Sequence, residues 1–238
     1  MSKVARCFGA AAADYDNHAQ LQRWAAMQLL ARAQPIERWL DVGAGTGFVS
    51  ARLPAEQIVQ LDIAMPMLKA NRGQGRLLAD MQQLPLQDAS VDAIAANLSL
   101  QWSESFSQSL QEAARVCRTG GQLLFSVPAE DTFSELAPLI RNGELAANRF
   151  ASAEQLTSQL ISSGWQPRAI EPLQLTLYFD SPKALLQHFK ATGAQHANRH
   201  HGLKGRGWWQ RVCQHLEQFR GVQGLPLTWK LYLVEASR

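Results

Sequence analysis

The residues best suited to chemistry stand together at Asp41-Val-Gly-Ala-Gly-Thr-Gly47, three alternating glycines directly after a short apolar run. Glycines in this pattern let the backbone turn sharply from a strand into a helix and pass very close to a ligand. The dinucleotide fingerprint GxGxxG would place its third glycine at position 48, which is Phe48. Asp41, the acid ahead of the turn, is ill suited to a pyrophosphate and well suited to an ammonium group. Three further polar residues close later apolar runs: Asp62 after QIVQL, Asp80 after LLA and Asn97 after VDAIAA. At a strand end, Asp62 can accept both hydroxyls of a ribose, and Asp80 can accept the amino group of an adenine. Asn97 falls at the expected topological switch point, where open α/β sheets keep their ligands.

Each of these residues also has an ordinary use. Asp41 can cap a helix, Asp62 or Asp80 alone can serve a turn, and Met65 and Met67 can fill a core. The ordered set, without a P-loop lysine, instead describes a nucleoside lacking a phosphate tail. Adenine, ribose, an ammonium group and a cationic sulfonium are together the make-up of S-adenosylmethionine.

The elements needed to position such a set are legible in the apolar patterning. Ile36–Val42, Gln57–Asp62, Leu77–Asp80, Val91–Asn97 and Gly121–Val127 read as buried strands. Residues 16–32 read as an amphipathic helix, and Ser107–Cys117 as another that stops at Thr119-Gly120-Gly121. Strands alternating with helices predict an α/β fold, a parallel sheet covered on both faces. Beyond residue 128 the pattern changes. Ser152 and Gln155 form a capping box opening a helix that ends at Gly164. Residues 167–179 read as a strand interrupted by Pro172, and Ser181-Pro182 starts another helix. Trp209, Val212, Cys213, Leu216 and Phe219 trace an apolar stripe, and Leu227–Glu235 reads as a last strand. The expectation is one domain over residues 1–238, with a helical region at 1–34 and lid segments at 129–150 and 181–223.

Length and composition bound the rest. The chain has 238 residues, 46% hydrophobic and 18% charged, which excludes collagen, long coiled coil and disorder. Cys7, Cys117 and Cys213 form no CxxC pair or disulfide framework, which points to a reducing cytosol. No apolar run reaches the ~20 residues of a membrane helix, and the basic N-terminus meets acids too early for a signal peptide. From Lys183 to Arg220 seven basic residues face the single acid Glu217, within a chain whose net charge is only +3. That late segment therefore holds the positive field, suited to an acidic protein, a phosphate or a nucleic acid, or simply to solvent. His196 and His200 are four apart, but position 197 is alanine, so HExxH is absent and no metal is expected. No GxSxG elbow supports nucleophilic catalysis.

The core motifs resemble the class I S-adenosylmethionine-dependent methyltransferases, over most of the chain. Other motifs resemble a narrower family: Phe8, Ala11, Ala12, Tyr15, Asp16, Ala19 and Leu21-Gln22-Arg23 near the N-terminus, and NLSLQW (Asn97–Trp102). ANRF (Ala147–Phe150), FKATGA (Phe189–Ala194) and GLPLTW (Gly224–Trp229) complete the pattern. Together they are similar to the malonyl-acyl-carrier-protein O-methyltransferases of biotin synthesis. The resemblance implies a Rossmann-like, mostly parallel seven-stranded sheet with a helical lid, working in the cytoplasm. It implies methyl transfer to the free carboxylate of a malonyl thioester on acyl carrier protein, with no nucleic acid or membrane involved. By position Gly43, Gly45, Asp62, Ile63, Met67, Asp80, Met81 and Asn97 would contact the methyl donor, and Tyr15 would close over it. Ala44 stands where relatives often have cysteine, and Trp229 where many have tyrosine.

The chemistry of such a transfer agrees with the residues present. A carboxylate displacing a sulfonium needs alignment and no general base, and no base constellation stands out. Loss of charge in the reaction favours a dry pocket, for which Trp102, Phe133, Phe150 and Trp229 are candidate walls. Arg149, between core and lid, is the candidate to orient the carboxylate. Acyl carrier proteins are acidic, so Lys204, Arg206 and Arg211 become candidate docking residues. The rival readings are methylation of a quinone-type precursor, methylation of RNA through the basic segment, and a non-catalytic adenosylmethionine-binding protein.

Overall fold

Every apolar run read as a strand forms one in the computed structural model of the chain, which describes residues 3–12, 15–145, 147–191 and 205–238. The strands are β1 (Arg38–Val42), β2 (Gln57–Asp62), β3 (Arg76–Leu78), β4 (Val91–Asn97), β5 (Cys117–Pro128), β6 (Gln166–Phe179) and β7 (Leu225–Ser237). They form one sheet in the order β3-β2-β1-β4-β5-β7-β6. The neighbouring pairs from β3 to β5 are parallel, whereas β7 runs antiparallel to β5. The order reverses between β1 and β4, so the crevice at their C-terminal ends is the natural ligand position.

The helices are α1 (Lys3–Ala11), α2 (Tyr15–His18), α3 (Gln20–Leu30), α4 (Met65–Ala70), α5 (Phe106–Val116), α6 (Ala137–Arg141), α7 (Ala153–Ser162), α8 (Pro182–Ala191) and α9 (Arg206–Glu217). The helix expected over 16–32 is thus two, broken at Ala19. Ser105 caps α5 by accepting the Gln108 N–H at 3.3 Å. The glycines expected to stop α5 lie inside β5, which follows Val116 directly, and they sit at the register shift against β4. Gly120, at φ +78°, lets the bulged strand turn without ending it. The capping box at α7 is present, with Ser152 and Gln155 bonded reciprocally. Pro172 does not interrupt β6, because β6 is an edge strand and needs no ladder donor there.

By its contacts the chain divides into two units. The first comprises Met1–Pro128, Ala151–Pro172 and Leu231–Arg238. Its core gathers Leu40, Ile94, Leu110, Leu123, Phe125 and Trp165 on the sheet and its covering helices. The indole of Trp165 is satisfied there by the Leu110 carbonyl at 2.9 Å. The second comprises Ala129–Phe150 and Leu173–Lys230, a second segment wider at both ends than the expected 181–223. In it the buried Glu135 carboxylate accepts the Thr228 N–H at 3.1 Å and its hydroxyl at 2.5 Å. That grip holds Phe133, at φ +63°, against Trp229 and Phe189, with ring centroids 4.4 and 5.0 Å away. Lys204, His196, His200 and the end of the FKATGA motif lie outside the described residues.

Candidate active site

β1 leaves the sheet into the glycine turn, and the turn is pinned from below. The Gly43 and Ala44 N–H groups both donate to the Leu61 carbonyl, at 2.8 and 2.9 Å. A Cβ on Gly43 would lie 2.3 Å from the Ser99 Cβ, on a backbone already at φ +72°. Only glycine fits. The Ser99 hydroxyl in turn donates to the Val42 carbonyl at 2.6 Å, tying the end of β4 to the end of β1.

Asp62 closes β2 with both carboxylate oxygens anchored on backbone. Oδ2 accepts the Gly45 N–H at 2.9 Å and Oδ1 accepts the Ala64 N–H at 2.8 Å. Burial raises its carboxyl above the ordinary value, opposed by the N–H groups of Ala64, Gly45 and Ile63. Three N–H groups leave the carboxylate acceptor capacity for an incoming hydroxyl. Asp80 sits two residues past the end of β3, and its Oδ1 accepts the Gln82 N–H at 2.9 Å. Asn97, ending β4, donates to the Gln22 carbonyl at 2.9 Å and accepts the Ser126 hydroxyl at 2.8 Å.

The N-terminal helices add aromatic walls. Phe8 meets Trp102 edge-on at 5.4 Å, and Tyr15 stacks on Phe48 at 6.5 Å. The Thr46 hydroxyl donates to Asp16 at 2.7 Å, joining this segment to the glycine turn. Burial, followed by the Asp62 and Asp16 carboxylates, pushes the Tyr15 phenol well above its ordinary value. Tyr15 is therefore a hydrogen-bond donor throughout the neutral range and not a base.

These side chains line a partly open pocket whose space, counting the solvent at its mouth, is about 770 Å³. Tyr15, Gly43, Gly45, Asp62, Ile63, Met67, Asp80, Met81, Asn97 and Trp102 all line it, as do the unanticipated Ser99, Gln82 and Glu104. Asp41 does not line it. Its carboxylate turns beneath the loop to accept the Ser50 N–H at 3.1 Å, so the expected ammonium partner is a buried loop anchor. Burial outweighs the Ser50 hydrogen bonds and raises its pKa to about 7, with the Asp62 charge adding to the rise.

Comparison with known proteins places this cavity in context. A methyltransferase-domain family model matches residues 40–125, the span that carries the glycine turn, Asp62, Asp80 and Asn97. The malonyl-(acyl-carrier protein) O-methyltransferase of Methylovorus sp. strain MP688 is 33% identical, over 97% of this chain and 86% of its own. That of Laribacter hongkongensis is also 33% identical, over 100% of this chain and 89% of its own. The chain belongs to this methyltransferase family. The solved structure of the YcgJ protein of Bacillus subtilis shares the fold, with TM-score 0.64 and 15% identity over 90% of this chain and 97% of that one.

The methyltransferase's remaining candidate residues belong to the second unit, whereas every residue lining the cavity belongs to the first. Arg149 is exposed, in the segment between Leu145 and the α7 cap. Trp229 is buried against Phe133. Arg206 is exposed at the start of α9, and Arg211 lies 3.5 Å from the Glu144 carboxylate. Among the described residues no group of three or more His, Cys, Asp or Glu is disposed to hold a metal ion. No described helix is long and apolar enough to cross a membrane.

Proposed function

We propose that this enzyme transfers the methyl group of S-adenosylmethionine to the free carboxylate of malonyl-acyl carrier protein. The product methyl ester masks a charge, so that fatty-acid enzymes can elongate the chain toward biotin. The carrying observation is the backbone-anchored Asp62 carboxylate lining a pocket at the switch point, in a chain whose relatives, matched over nearly all of it, bear that activity in their names.

When bound, the methyl donor supplies an electrophilic carbon on a sulfonium. The protein's residues do the rest. Asp62 accepts the ribose hydroxyls, and Asp80 accepts the adenine amino group through the oxygen not committed to Gln82. Met67, Ile63 and Met81 give apolar contact around them, and Tyr15 with Trp102 and Phe8 excludes water. A malonyl carboxylate is already ionised at neutral pH, so its oxygen forms the new bond while the sulfur keeps the electron pair of the bond broken. No base is required, in agreement with a Tyr15 phenol that stays protonated. Walls of low polarity favour this charge neutralisation.

Arg149 orients the substrate carboxylate, and Trp229 helps to position the acyl chain. Lys204, Arg206 and Arg211 receive the acidic carrier. The free cysteines suit a reducing cytosol. Incubation with adenosylmethionine and malonyl-acyl carrier protein, read by intact mass, tests the whole proposal. The malonyl carrier should gain one methyl and the acetyl carrier none; methylation of both, or of neither, overturns it. Arg149→Ala should raise KM for the malonyl substrate and leave adenosylmethionine affinity intact.

A further inference from the structure

Beneath the glycine turn runs a chain of buried side chains that the proposed reaction does not yet use. Gly45 is gripped on both sides of its Cα. Its N–H donates to Asp62 at 2.9 Å, and its carbonyl accepts the Asn71 side-chain amide at 3.3 Å. The same Asn71 Nδ2 donates to Gln60 Oε1 at 2.7 Å, while Asn71 Oδ1 accepts the Gly73 N–H at 2.8 Å. Gln60 Oε1 also accepts the Ser50 hydroxyl at 2.5 Å, and Gln60 Nε2 donates to the Gln74 carbonyl at 2.6 Å. Ser50 closes the chain with its N–H on Asp41. Asp41, Ser50, Gln60 and Asn71 are all buried, so these bonds are sheltered from competing water.

The packing is close. A Cβ on Gly47 would lie 2.9 Å from Asn71 Oδ1, so the third glycine of the turn is bare because the Asn71 amide occupies that space. On the opposite side, a Cβ on Gly45 would meet nothing within 4 Å, and Gly45 lines the cavity. Asn71 also caps α4 through its own N–H on the Met67 carbonyl, and Met67 lines the same cavity. One residue therefore touches the glycine turn and the strand bearing Asp62 through its side chain, and ends the helix bearing Met67 through its backbone.

A glycine peptide rotates easily, and fixing it only when ligand arrives would cost affinity. We propose that Asn71 is a positioning residue of the nucleoside site: by holding the Gly45 carbonyl it restrains the backbone torsions of Gly45 and so the direction of the Gly45 N–H, which holds the Asp62 carboxylate before the ligand binds. This rests on the methyltransferase reading. It adds that donor affinity is set by a buried amide that need not touch the donor.

Asn71→Asp tests it, keeping the size and the acceptor for Gly73 while putting an oxygen where Gly45 and Gln60 need a donor. Calorimetry with adenosylhomocysteine should show Kd raised about tenfold or more, the loss of a buried hydrogen bond. KM for adenosylmethionine should rise with it, and KM for malonyl-acyl carrier protein should stay within about twofold. Ser50→Ala, which deletes one hydroxyl of the chain, should weaken adenosylhomocysteine about threefold. It decides the matter if Asn71→Asp does not fold by circular dichroism. Folded variants with native affinity, or an equal rise in both KM values, overturn the positioning role. A native protein that binds no adenosylhomocysteine would instead overturn the methyltransferase reading itself.

Discussion

The Ser126 hydroxyl donates to Asn97 Oδ1 at 2.8 Å while its oxygen accepts the Leu98 N–H at 3.0 Å. One fully buried serine on β5 thus orients the amide at the end of β4 and holds the next residue at φ +48°. A leucine rarely adopts that conformation, and strain of this kind persists where surrounding bonds over-determine it. Ser126→Ala should cost about 1 kcal/mol of stability, lowering Tm by roughly 2–4 °C. Release of the Asn97 amide should weaken adenosylhomocysteine about fivefold, by the same loss of one hydrogen bond. Thermal melts and calorimetry check the two effects separately.

Asp62→Asn keeps the shape of the side chain and removes its charge. The amide oxygen can serve only one of the Gly45 and Ala64 N–H groups that the carboxylate now serves together. The amide nitrogen then opposes the other. Donor affinity should fall at least tenfold, the range for charge-assisted hydrogen bonds to a ribose. Equilibrium binding of adenosylhomocysteine measures it, and Asp80→Asn provides the comparison at the end of the cavity proposed for the adenine.

Much of this site is legible in the sequence because its polar residues end apolar runs, and a run's end is where a strand stops. Asp62 and Asn97 terminate β2 and β4 as expected, and Asp80 misses the end of β3 by two residues. Asp41 shows the limit of that reasoning. Strand register sets which side of the loop a side chain takes, and Asp41 points to Ser50 and not to the cavity. Asn71, Gln60 and Ser50 carry no local signal, because their partners are up to 26 residues away in the chain. The glycines at 120 and 121 imitate a helix stop, yet they form the bulge of a strand, where their backbone groups pair with Arg238 at the far end of the chain.

Asp41 gives the chain a pH dependence of definite sign. Burial disfavours its charge and raises its carboxyl from the ordinary 3.8 to about 7 in the fold. Between those values the folded chain holds a proton that the unfolded chain has lost. Stability is therefore greatest at low pH within this window and declines as pH rises toward about 7, by a displacement worth about 4 kcal/mol. Asp62, raised in the same direction, adds to the slope. Asp41→Asn should flatten the profile, and above pH 7 it should melt higher than the native chain. Melting temperatures recorded across this range in matched ionic strength provide the measurement.

Arg206 stands at the wrong end of a helix for its own stability. It is the first residue of α9, whose cap is Gly205 with no side-chain bond and whose first turn has no acid. A cation there opposes the helix dipole, so Arg206→Glu should hold or raise the melting temperature. A basic group kept in that position is instead suited to an outside acid. Arg211→Gln is the companion change, since glutamate there would face Glu144 across an existing ion pair. The double variant should turn over malonyl-acyl carrier protein about tenfold less efficiently, with a weaker dependence on salt than the native enzyme. Turnover of a small malonyl thioester should stay within about twofold, because that substrate carries no acidic surface to dock. An equal loss on both substrates, in a variant that melts no lower, would place the two arginines in the chemistry and not in recognition of the carrier.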